Sequence, residues 1–309
     1  MCSTPRRRSE AADCSPHSRS YARHSAYSDP GHHAALLDQV DPTIASASAV
    51  AQNLIAHYRY ATTQLPEHSN DDINARWLSA ILDIDQQRHG TPLSSPRAEP
   101  ERVQGCCRDQ ALIAVGVLRQ HNIPARSRVG FADYLRPNSR VDHVVAEARV
   151  DDRWVRFDPG LAEPRGRVTN PRDISISDDS PFLTAAAAWT GHRQHGRSID
   201  DLGVRIGPVE FTGATFVLSY LIMDVAHRFG DELLLWDSWG AMPLPGTPID
   251  FGMGDALAEL VRLADRGDPT AEHTLRDMYE IDSRVHVGDE VLRFSPRGEP
   301  PVRVALGRD

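Results

Sequence analysis

Three residues of this 309-residue chain have side chains that could together perform nucleophilic catalysis. Cys107 lies in the run Gly-Cys-Cys-Arg-Asp-Gln-Ala, residues 105–111, where a helical pattern begins. His143 lies in a strand-like run, and Asp158 ends the next one. A thiol, an imidazole and a carboxylate supply a nucleophile, its base and the group that orients the base. We therefore predict Cys107, His143 and Asp158 as catalytic residues.

The position of Cys107 indicates how its thiol would be activated. The first turn of a helix carries the positive end of the macrodipole and free backbone N–H groups, and both lower the pKa of a thiol there. Gly105 allows the tight entry that presents the sulfur to a cleft. Asp109 is expected to complement the helix dipole or cap the first turn, and Cys106 is expected to be an unreactive structural cysteine.

The strand pattern decides whether His143 and Asp158 can meet. Alternating residues of a strand share one face, and His143 faces away from the apolar positions of its run. A turn with an even number of residues pairs Val150 with Arg153 and places Asp158 opposite Val145, diagonal to His143 on the same face. An odd number would turn Asp158 into the core. We predict a two- or four-residue turn and a hydrogen bond between His143 and Asp158.

The elements around these residues follow from hydrophobic periodicity and from helix start and stop signals. Helices are predicted at about residues 41–60, 70–89, 107–120, 180–189, 213–229, 255–266 and 268–279. Strands are predicted at about residues 125–132, 142–150 and 154–158, with a small hairpin in the weakly alternating tail after residue 285. This pattern predicts an α+β fold in which a helix presents the cysteine and packs on an antiparallel sheet.

Composition divides the chain into four predicted regions. Residues 1–34 are rich in Ser, Arg, His and Ala and are predicted to be a disordered extension. Residues 35–98 are predicted as the N-terminal helical part of the core, and residues 99–170 as the catalytic core. Residues 171–309 are predicted as a mainly helical region that ends in the small hairpin.

Charge, cysteine content and apolar segments exclude several classes of protein. Lys and Arg number 34 against 43 Asp and Glu, and a net charge of −9 argues against nucleic-acid binding. The cysteines have the spacing of neither a disulfide framework nor a metal site; they are Cys2, Cys14, Cys106 and Cys107. No signal peptide is recognisable, and the most apolar segment, residues 216–226, is too short to span a bilayer. We expect a soluble, cytoplasmic protein without membrane contact.

Several short motifs, taken in order, resemble those of the transglutaminase-like superfamily over about residues 99–162. They are Gly105-x-Cys107-Arg108-Asp109-x-Ala111, Ile123-Pro124-Ala125-Arg126, His143 with Glu147, and Trp154-Val155-x-Phe157-Asp158-Pro159. The resemblance implies a papain-like triad on an α+β core, with Cys107 as nucleophile, His143 as base and Asp158 as orienter, and it implies no metal or cofactor. Val145 and Gly160 depart from the family, which often has an aromatic residue and a threonine there.

These residues together predict cysteine-dependent acyl transfer on an amide or thioester, through a covalent acyl-enzyme. The acceptor stays open, because water would make the protein a peptidase or amidase and an amine would make it an amide-forming transferase. The partner is then a peptide or a small-molecule amide or thioester, and the oligomeric state is open. A non-catalytic binding module is the alternative.

Three further groups of residues have competing interpretations. A metal site would use Cys106 and Cys107 together with His192 and His195, although adjacent cysteines make a poor ligand pair. Two tryptophans, Trp236 and Trp239, flank a predicted turn and are expected in the core, with a place in a substrate pocket as the alternative. Arg193 is expected to form a surface ion pair, with binding of a substrate carboxylate as the alternative.

Overall fold

The computed structural model describes residues 21–206, 209–244 and 246–307, which form an α+β fold. Its helices are α1 (Ala34–Leu37), α2 (Ile44–Leu54), α3 (Leu78–His89), α4 (Cys107–Gln120), α5 (Ala185–His195), α6 (Gly213–Arg228), α7 (Phe251–Asp265) and α8 (Pro269–Ile281). Short 3-10 helices occupy Gly31–His33, Glu67–Asn74 and Glu99–Glu101. The predicted fold class is confirmed.

The strands form three sheets within the described residues. Their bounds are β1 (Ile55–His57), β2 (Val103–Gly105), β3 (Ala125–Arg136), β4 (Ser139–Val150), β5 (Arg153–Phe157), β6 (Phe182–Thr184), β7 (Gly203–Ile206), β8 (Val209–Thr212), β9 (Asp237–Ser238), β10 (Glu290–Arg293) and β11 (Val302–Ala305). The main sheet has the order β6-β3-β4-β7-β8, and β5 also pairs with β4. Strands β1 and β2 form a parallel pair, and β9, β10 and β11 form the third sheet.

The turn between β4 and β5 has the predicted even length. Val150 pairs with Arg153, so Asp151 and Asp152 alone form the turn. Both turn residues have positive φ, 46° and 60°, as a two-residue hairpin turn with the twist of its strands requires. The register is therefore confirmed, and the chain after β5 continues on the face of the sheet that carries His143.

Helix α4 is the central element of the core. All of its residues from Cys107 to Arg119 are buried, because α2 and α3 cover one side and the main sheet covers the other. A Cβ atom on Gly116 would lie 2.3 Å from Cδ2 of Leu78, so glycine permits the close approach of α3. This packing holds the N-terminus of the helix rigidly against the sheet, as the sequence predicts for residues 107–120.

Two predicted helices are partly wrong because tertiary strand pairing overrides local helical pattern. The helix predicted to residue 60 ends at Leu54, and the next three residues form β1, which pairs in parallel with β2. The helix predicted at residues 180–189 begins instead with β6, which pairs with β3. Helix α5 then continues past Gly191 and ends at His195. Its C-cap residue is Gly196, whose φ is 62°.

The predicted second helix is divided, whereas the C-terminal helices have nearly the predicted bounds. Residues 67–74 form a 3-10 helix, and α3 starts only at Leu78 and ends at His89, with the left-handed Gly90 as its C-cap.

Asp268 caps α8 through its side chain, as expected for an aspartate followed by a proline at a helix start. The terminal hairpin consists of β10 and β11. Among the described helices, none has the length and apolar character needed to cross a membrane.

Residues at both ends of the predicted catalytic region pack into the same core. Tyr27 is buried and its carbonyl oxygen accepts a hydrogen bond of 2.8 Å from the N–H of Leu78, so the extension predicted for residues 1–34 is too long. Residues 1–20 lie outside the described residues. In the C-terminal region, β6 pairs with β3 and Asp224 of α6 binds Arg128 at 3.0 Å. The predicted regions 99–170 and 171–309 therefore share one sheet.

Candidate active site

Cys107 is the first residue of α4, and the residues before it form a capping arrangement. Cys106 is the N-cap residue, and its backbone N–H donates a hydrogen bond of 2.8 Å to Oδ2 of Asp109. A Cβ atom on Gly105 would lie 2.7 Å from the same oxygen, so glycine leaves room for this contact. The capping role expected for Asp109 is confirmed, and it fixes the turn from which the Cys107 sulfur projects.

His143 connects the thiol with a carboxylate. Its Nε2 atom lies 2.8 Å from Oδ2 of Asp158, as the register predicts. Because Nε2 is engaged there, Nδ1 is the ring nitrogen available to the Cys107 thiol, and the imidazole lowers the pKa of that thiol. His143 and Asp158 are 6% and 2% exposed, so little water competes for their contact. The three predicted residues therefore come together at one place.

Asp158 has two further hydrogen-bond donors. The Tyr134 hydroxyl donates to Oδ2 over 2.7 Å, and the backbone N–H of Gly160 donates to Oδ1 over 2.9 Å. A Cβ atom on Gly160 would lie 2.3 Å from Oε1 of Gln110, which explains why a glycine fits where the family often has threonine. Sequence reasoning missed Tyr134, because a register shift in β3 between Ala132 and Arg136 interrupts the alternation of faces.

The electrostatics of the site favour a thiolate beside an imidazolium. A hydrogen bond from the Cys106 thiol and the neighbouring charge of His143 hold the pKa of Cys107 well below its usual range, against the effect of burial. Burial opposes protonation of His143, but the charges of Asp158 and Cys107 outweigh it and raise the pKa of His143. Burial likewise opposes ionisation of Asp158, yet its contacts with His143 and Tyr134 lower the pKa of Asp158.

Cys106 is the unreactive residue expected at this position. Its thiol donates to Cys107 and is itself buried, and both effects raise the pKa of Cys106 well above the ordinary value. The pKa values of the two adjacent cysteines are therefore shifted in opposite directions. Cys106 remains a thiol, and its contact favours the thiolate form of Cys107. Cys107 is the one that faces the imidazole.

His57 is a second histidine at the sulfur, and sequence reasoning missed it. Its Nδ1 accepts a hydrogen bond of 3.2 Å from the backbone N–H of Arg59, so the proton of the neutral ring is on Nε2. The side chain lines the same cavity as Cys107 and adds to the lowering of the pKa of that thiol. Because residues 55–57 were predicted inside a helix, no signal indicated that His57 would reach Cys107 from β1.

A half-buried carboxyl group, that of Asp142, lies next to His143 in β4. Asp142 accepts a hydrogen bond of 2.9 Å from the hydroxyl of Tyr220 on α6. Burial raises the pKa of Asp142, and the negative charge of Cys107 raises it further. Ionisation of Asp142 is therefore less favourable when the thiolate is present.

These side chains open into one cavity of about 540 Å³. Residues of the helical N-terminal part and of the main sheet form most of its walls, and the C-terminal region supplies Val204, Phe216, Tyr220, Leu235, Trp236 and Pro296. Trp236 thus lines the cavity, whereas Trp239 packs in the core and donates its indole N–H to the carbonyl oxygen of Val285 over 2.8 Å. Arg193 forms the expected ion pair, with Asp255 at 2.9 Å.

The alternative metal set is not brought together. His192 is exposed at the end of α5, where its Nδ1 contacts the carbonyl oxygen of Arg197 at 3.1 Å, whereas Cys106 and Cys107 are buried at the start of α4. Within the described ranges, the His, Cys, Asp and Glu side chains whose ligand atoms converge are those of His32, His33 and Asp83. That group involves neither cysteine.

Comparison with known proteins supports the family assignment. The model of the transglutaminase-like superfamily matches residues 34–159, which include all three predicted site residues. No curated protein matches the chain. One solved structure, "a Putative Cysteine Protease from Cytophaga hutchinsonii", is similar at 19% identity over 53% of this chain and 49% of that chain, with a TM-score of 0.30. The match thus spans about half of the length of that protein.

Proposed function

Because residues 34–159 of this chain form a domain of the transglutaminase-like superfamily, we propose that the protein is a cysteine-dependent acyl-transfer enzyme. Cys107 is the nucleophile, His143 the acid and base, and Asp158 the residue that orients the imidazole. One observation carries the proposal: a thiol at a helix N-terminus shares a cavity with an imidazole whose Nε2 lies 2.8 Å from a buried carboxylate. This arrangement favours a reactive thiolate in neutral water.

The reaction begins when the Cys107 thiolate attacks the carbonyl carbon of an amide or thioester, and a C–S bond forms. The negative charge moves to the carbonyl oxygen. Two N–H groups support it there: the backbone N–H of Cys107, which has no acceptor within its helix, and Nε2–H of His57. Both donors are held in place before the substrate arrives, so their orientation costs little during the reaction.

Collapse of the tetrahedral intermediate breaks the bond to the leaving group. The imidazolium of His143 gives its proton to the departing amine or thiolate and becomes neutral, and the acyl group stays on Cys107 as a thioester. Water or an amine then attacks this thioester, and His143 removes one proton from the attacking water or amine. The C–S bond breaks, Cys107 leaves as a thiolate, and the ion pair is restored.

The acceptor decides between a hydrolase and an amide-forming transferase. The C-terminal region supplies one wall of the cavity, including Tyr220 and Trp236, and this favours a compact acyl group over a long extended chain. The acceptor is identified by the decay of the acyl-enzyme in buffer alone and with added glycinamide. Faster decay with a new amide product indicates a transferase, and equal decay with release of the acid indicates a hydrolase.

The nucleophile is tested by acylation with an activated ester followed by mass spectrometry of the tryptic peptides. The wild-type chain should carry the acyl group on Cys107, and Cys107→Ala should carry none at this site. Cys106→Ser is the matched control, since it changes the adjacent thiol and should still be acylated at Cys107. Circular dichroism verifies that each variant is folded.

Two outcomes would contradict the proposal. Turnover of the ester by folded Cys107→Ala at the wild-type rate would remove Cys107 from the reaction. Absence of any acyl adduct on the wild-type chain, together with slow labelling of Cys107 by iodoacetamide, would instead favour the alternative, a binding module that keeps the fold without the chemistry.

A further inference from the structure

Four arginines line the cavity that contains Cys107: Arg59, Arg102, Arg136 and Arg165. In the described part of the chain, none of their guanidinium groups has a carboxylate oxygen within 4.0 Å. Buried arginines elsewhere in the chain are paired, as in Arg76 with Asp237, Arg97 with Asp85, and Arg119 with Glu232. The chain has a net charge of −9, so a group of arginines without carboxylate partners at one cavity contrasts with the rest of the protein. Such a group can attract an anionic ligand.

The carboxyl groups of the same cavity do not neutralise these arginines. Glu99 is bound by the backbone and hydroxyl groups of Thr62 and Thr63, and these hydrogen bonds lower its pKa to about 2. Asp142 is bound by Tyr220, and although the charge of Arg59 acts on it, its carboxylate oxygens make no ion pair within 4.0 Å of the Arg59 guanidinium. Asp158 is bound by His143 and Tyr134. Glu99 is ionised, but three carboxyl groups face four arginines and the charges of Cys107 and His143 cancel, so the cavity keeps a small excess of positive charge.

Two tyrosines hold two of the arginines at the cavity that contains the sulfur. The guanidinium of Arg59 lies 5.3 Å from the ring centre of Tyr58, and that of Arg136 lies 5.6 Å from the ring centre of Tyr60 and donates to its hydroxyl at 3.0 Å. Stacking on a ring fixes the plane of a guanidinium and leaves N–H groups at its edge free for an oxyanion.

The same two rings flank the histidine that contacts the thiol. The ring of His57 lies 5.5 Å from that of Tyr58 and 4.7 Å from that of Tyr60. Since His57 lines the same cavity as Cys107 and lowers the pKa of its thiol, each stacked arginine is separated from the reacting sulfur by two side chains, a tyrosine and His57.

An unused donor lies in the same wall. The indole Nε1 of Trp236 is buried without a hydrogen-bond partner, and its ring meets the ring of Tyr58 edge-on at 6.1 Å. Buried donors are nearly always satisfied in folded proteins. Nε1 has almost no accessible surface, so a substrate oxygen would reach it only after the Trp236 ring moves.

We propose that the cavity mouth formed by Arg59, Arg136, Tyr58, Tyr60 and Trp236 is an anion subsite, and that the acyl substrate carries a carboxylate or phosphate group close to the carbonyl that Cys107 attacks. This inference rests on the proposed function, because it names the substrate class of the same thiol. The anion binds the edges of the two guanidinium groups while the acyl carbonyl lies between Cys107 and His57.

The test compares two alkylating reagents that differ in charge and react with the same sulfur. Iodoacetate is an anion and iodoacetamide is its neutral analogue. The second-order rate constant of each reagent at Cys107 is measured by peptide mass spectrometry and divided by its rate constant with free cysteine. The normalised rate of iodoacetate divided by that of iodoacetamide reports the preference of the site for an anion. This measurement does not depend on catalytic turnover.

The ratio should exceed one in the wild-type chain. Arg59→Gln and Arg136→Gln should each lower it by about threefold to tenfold, because each removes a nearby unit charge in a partly solvated site. Arg59→Lys should retain most of the ratio, since it keeps the charge. Arg303→Gln is the matched control, because Arg303 pairs with Glu290 on the exposed β10–β11 hairpin and should leave the ratio unchanged.

Competition identifies the anion. Glutarate and inorganic phosphate are compared as protectants of Cys107 against iodoacetamide, and protection by one of them supports the subsite and names its chemistry. A ratio that stays the same in folded Arg59→Gln and Arg136→Gln, or protection by neither anion, overturns the subsite. Slow reaction of Cys107 with both reagents would instead overturn the proposed function.

Discussion

Tyr134 donates its hydroxyl hydrogen bond, 2.7 Å long, to Oδ2 of Asp158. The same carboxylate oxygen accepts from Nε2 of His143, so a tyrosine outside the predicted triad shares its acceptor with the base. Burial of Asp158 would favour its neutral form, and the hydroxyl counteracts this by stabilising the carboxylate. Tyr134 also meets the His143 ring edge-on at 6.0 Å and limits its rotation.

Tyr134→Phe should slow acylation of Cys107 by about tenfold, since a hydrogen bond to a charged group contributes about 1.5 kcal/mol. The phenyl ring keeps the contact with His143, so only the hydroxyl is lost. Stopped-flow measurement of ester turnover gives the rate. Tyr21→Phe is the control, because Tyr21 donates to Glu272 far from the cavity. Equal rates in both variants would remove Tyr134 from the positioning of Asp158.

The charge state of the thiol predicts an unusual pH dependence of alkylation. The pKa of Cys107 is lowered and that of His143 is raised, so the ion pair exists between these two values. Iodoacetamide should therefore react well below pH 8, where a free cysteine with a pKa of about 8.5 is mostly protonated. His143→Asn removes the cation and should return the Cys107 profile toward higher pH. A wild-type profile that coincides with that of free cysteine would contradict the ion pair.

His57 is predicted to act on the carbonyl oxygen through Nε2–H. His57→Phe keeps an aromatic ring beside Tyr58 and Tyr60 but removes the donor, and kcat should fall by about 100-fold with a smaller change in KM. His57→Gln restores an N–H group and should recover part of the loss. Steady-state kinetics of the ester separate the two parameters. A Phe variant as active as the Gln variant would show that His57 only packs.

His227 predicts how stability depends on pH. It is fully buried, and its two ring nitrogens contact the Ser127 hydroxyl at 2.9 Å and the carbonyl oxygen of Leu233 at 3.1 Å, which suits the neutral ring. Burial lowers the pKa of His227 to about 4, from 6.5. Below pH 6.5 the unfolded chain binds a proton at this site that the folded chain does not. The folded state therefore loses about 2 kcal/mol between pH 6.5 and 5 through this residue.

Urea unfolding at several pH values measures this contribution. The free energy of unfolding of His227→Gln should vary less between pH 6.5 and 5 than that of the wild-type chain, whatever its absolute stability. His195→Gln removes an exposed histidine and should keep the wild-type dependence. Identical slopes for His227→Gln and wild type would mean that His227 already titrates normally in the folded state.

The proximity of Cys107, His143 and Asp158 could be predicted because it depends on local rules. The helical pattern from residue 107 places Cys107 at a helix start, and the period of two in β4 and β5 leaves one register that buries the apolar faces. Both are confirmed, the second by the pairing of Val150 with Arg153. The contacts of His57 and Tyr134 could not be predicted in this way. His57 reaches Cys107 only because β1 pairs with β2, and Tyr134 follows a register shift in β3.

The sequence by itself determined the α+β class, the helix that presents Cys107 and the partnership of His143 with Asp158, because helix termini and strand alternation are properties of neighbouring residues. Only the tertiary structure decided which groups surround the sulfur. His57, Asp142, Trp236 and the unpaired arginines come from segments far apart in the chain, and their meeting depends on how helices and strands pack. Packing is governed by the shape and burial of the whole core, which no local pattern contains.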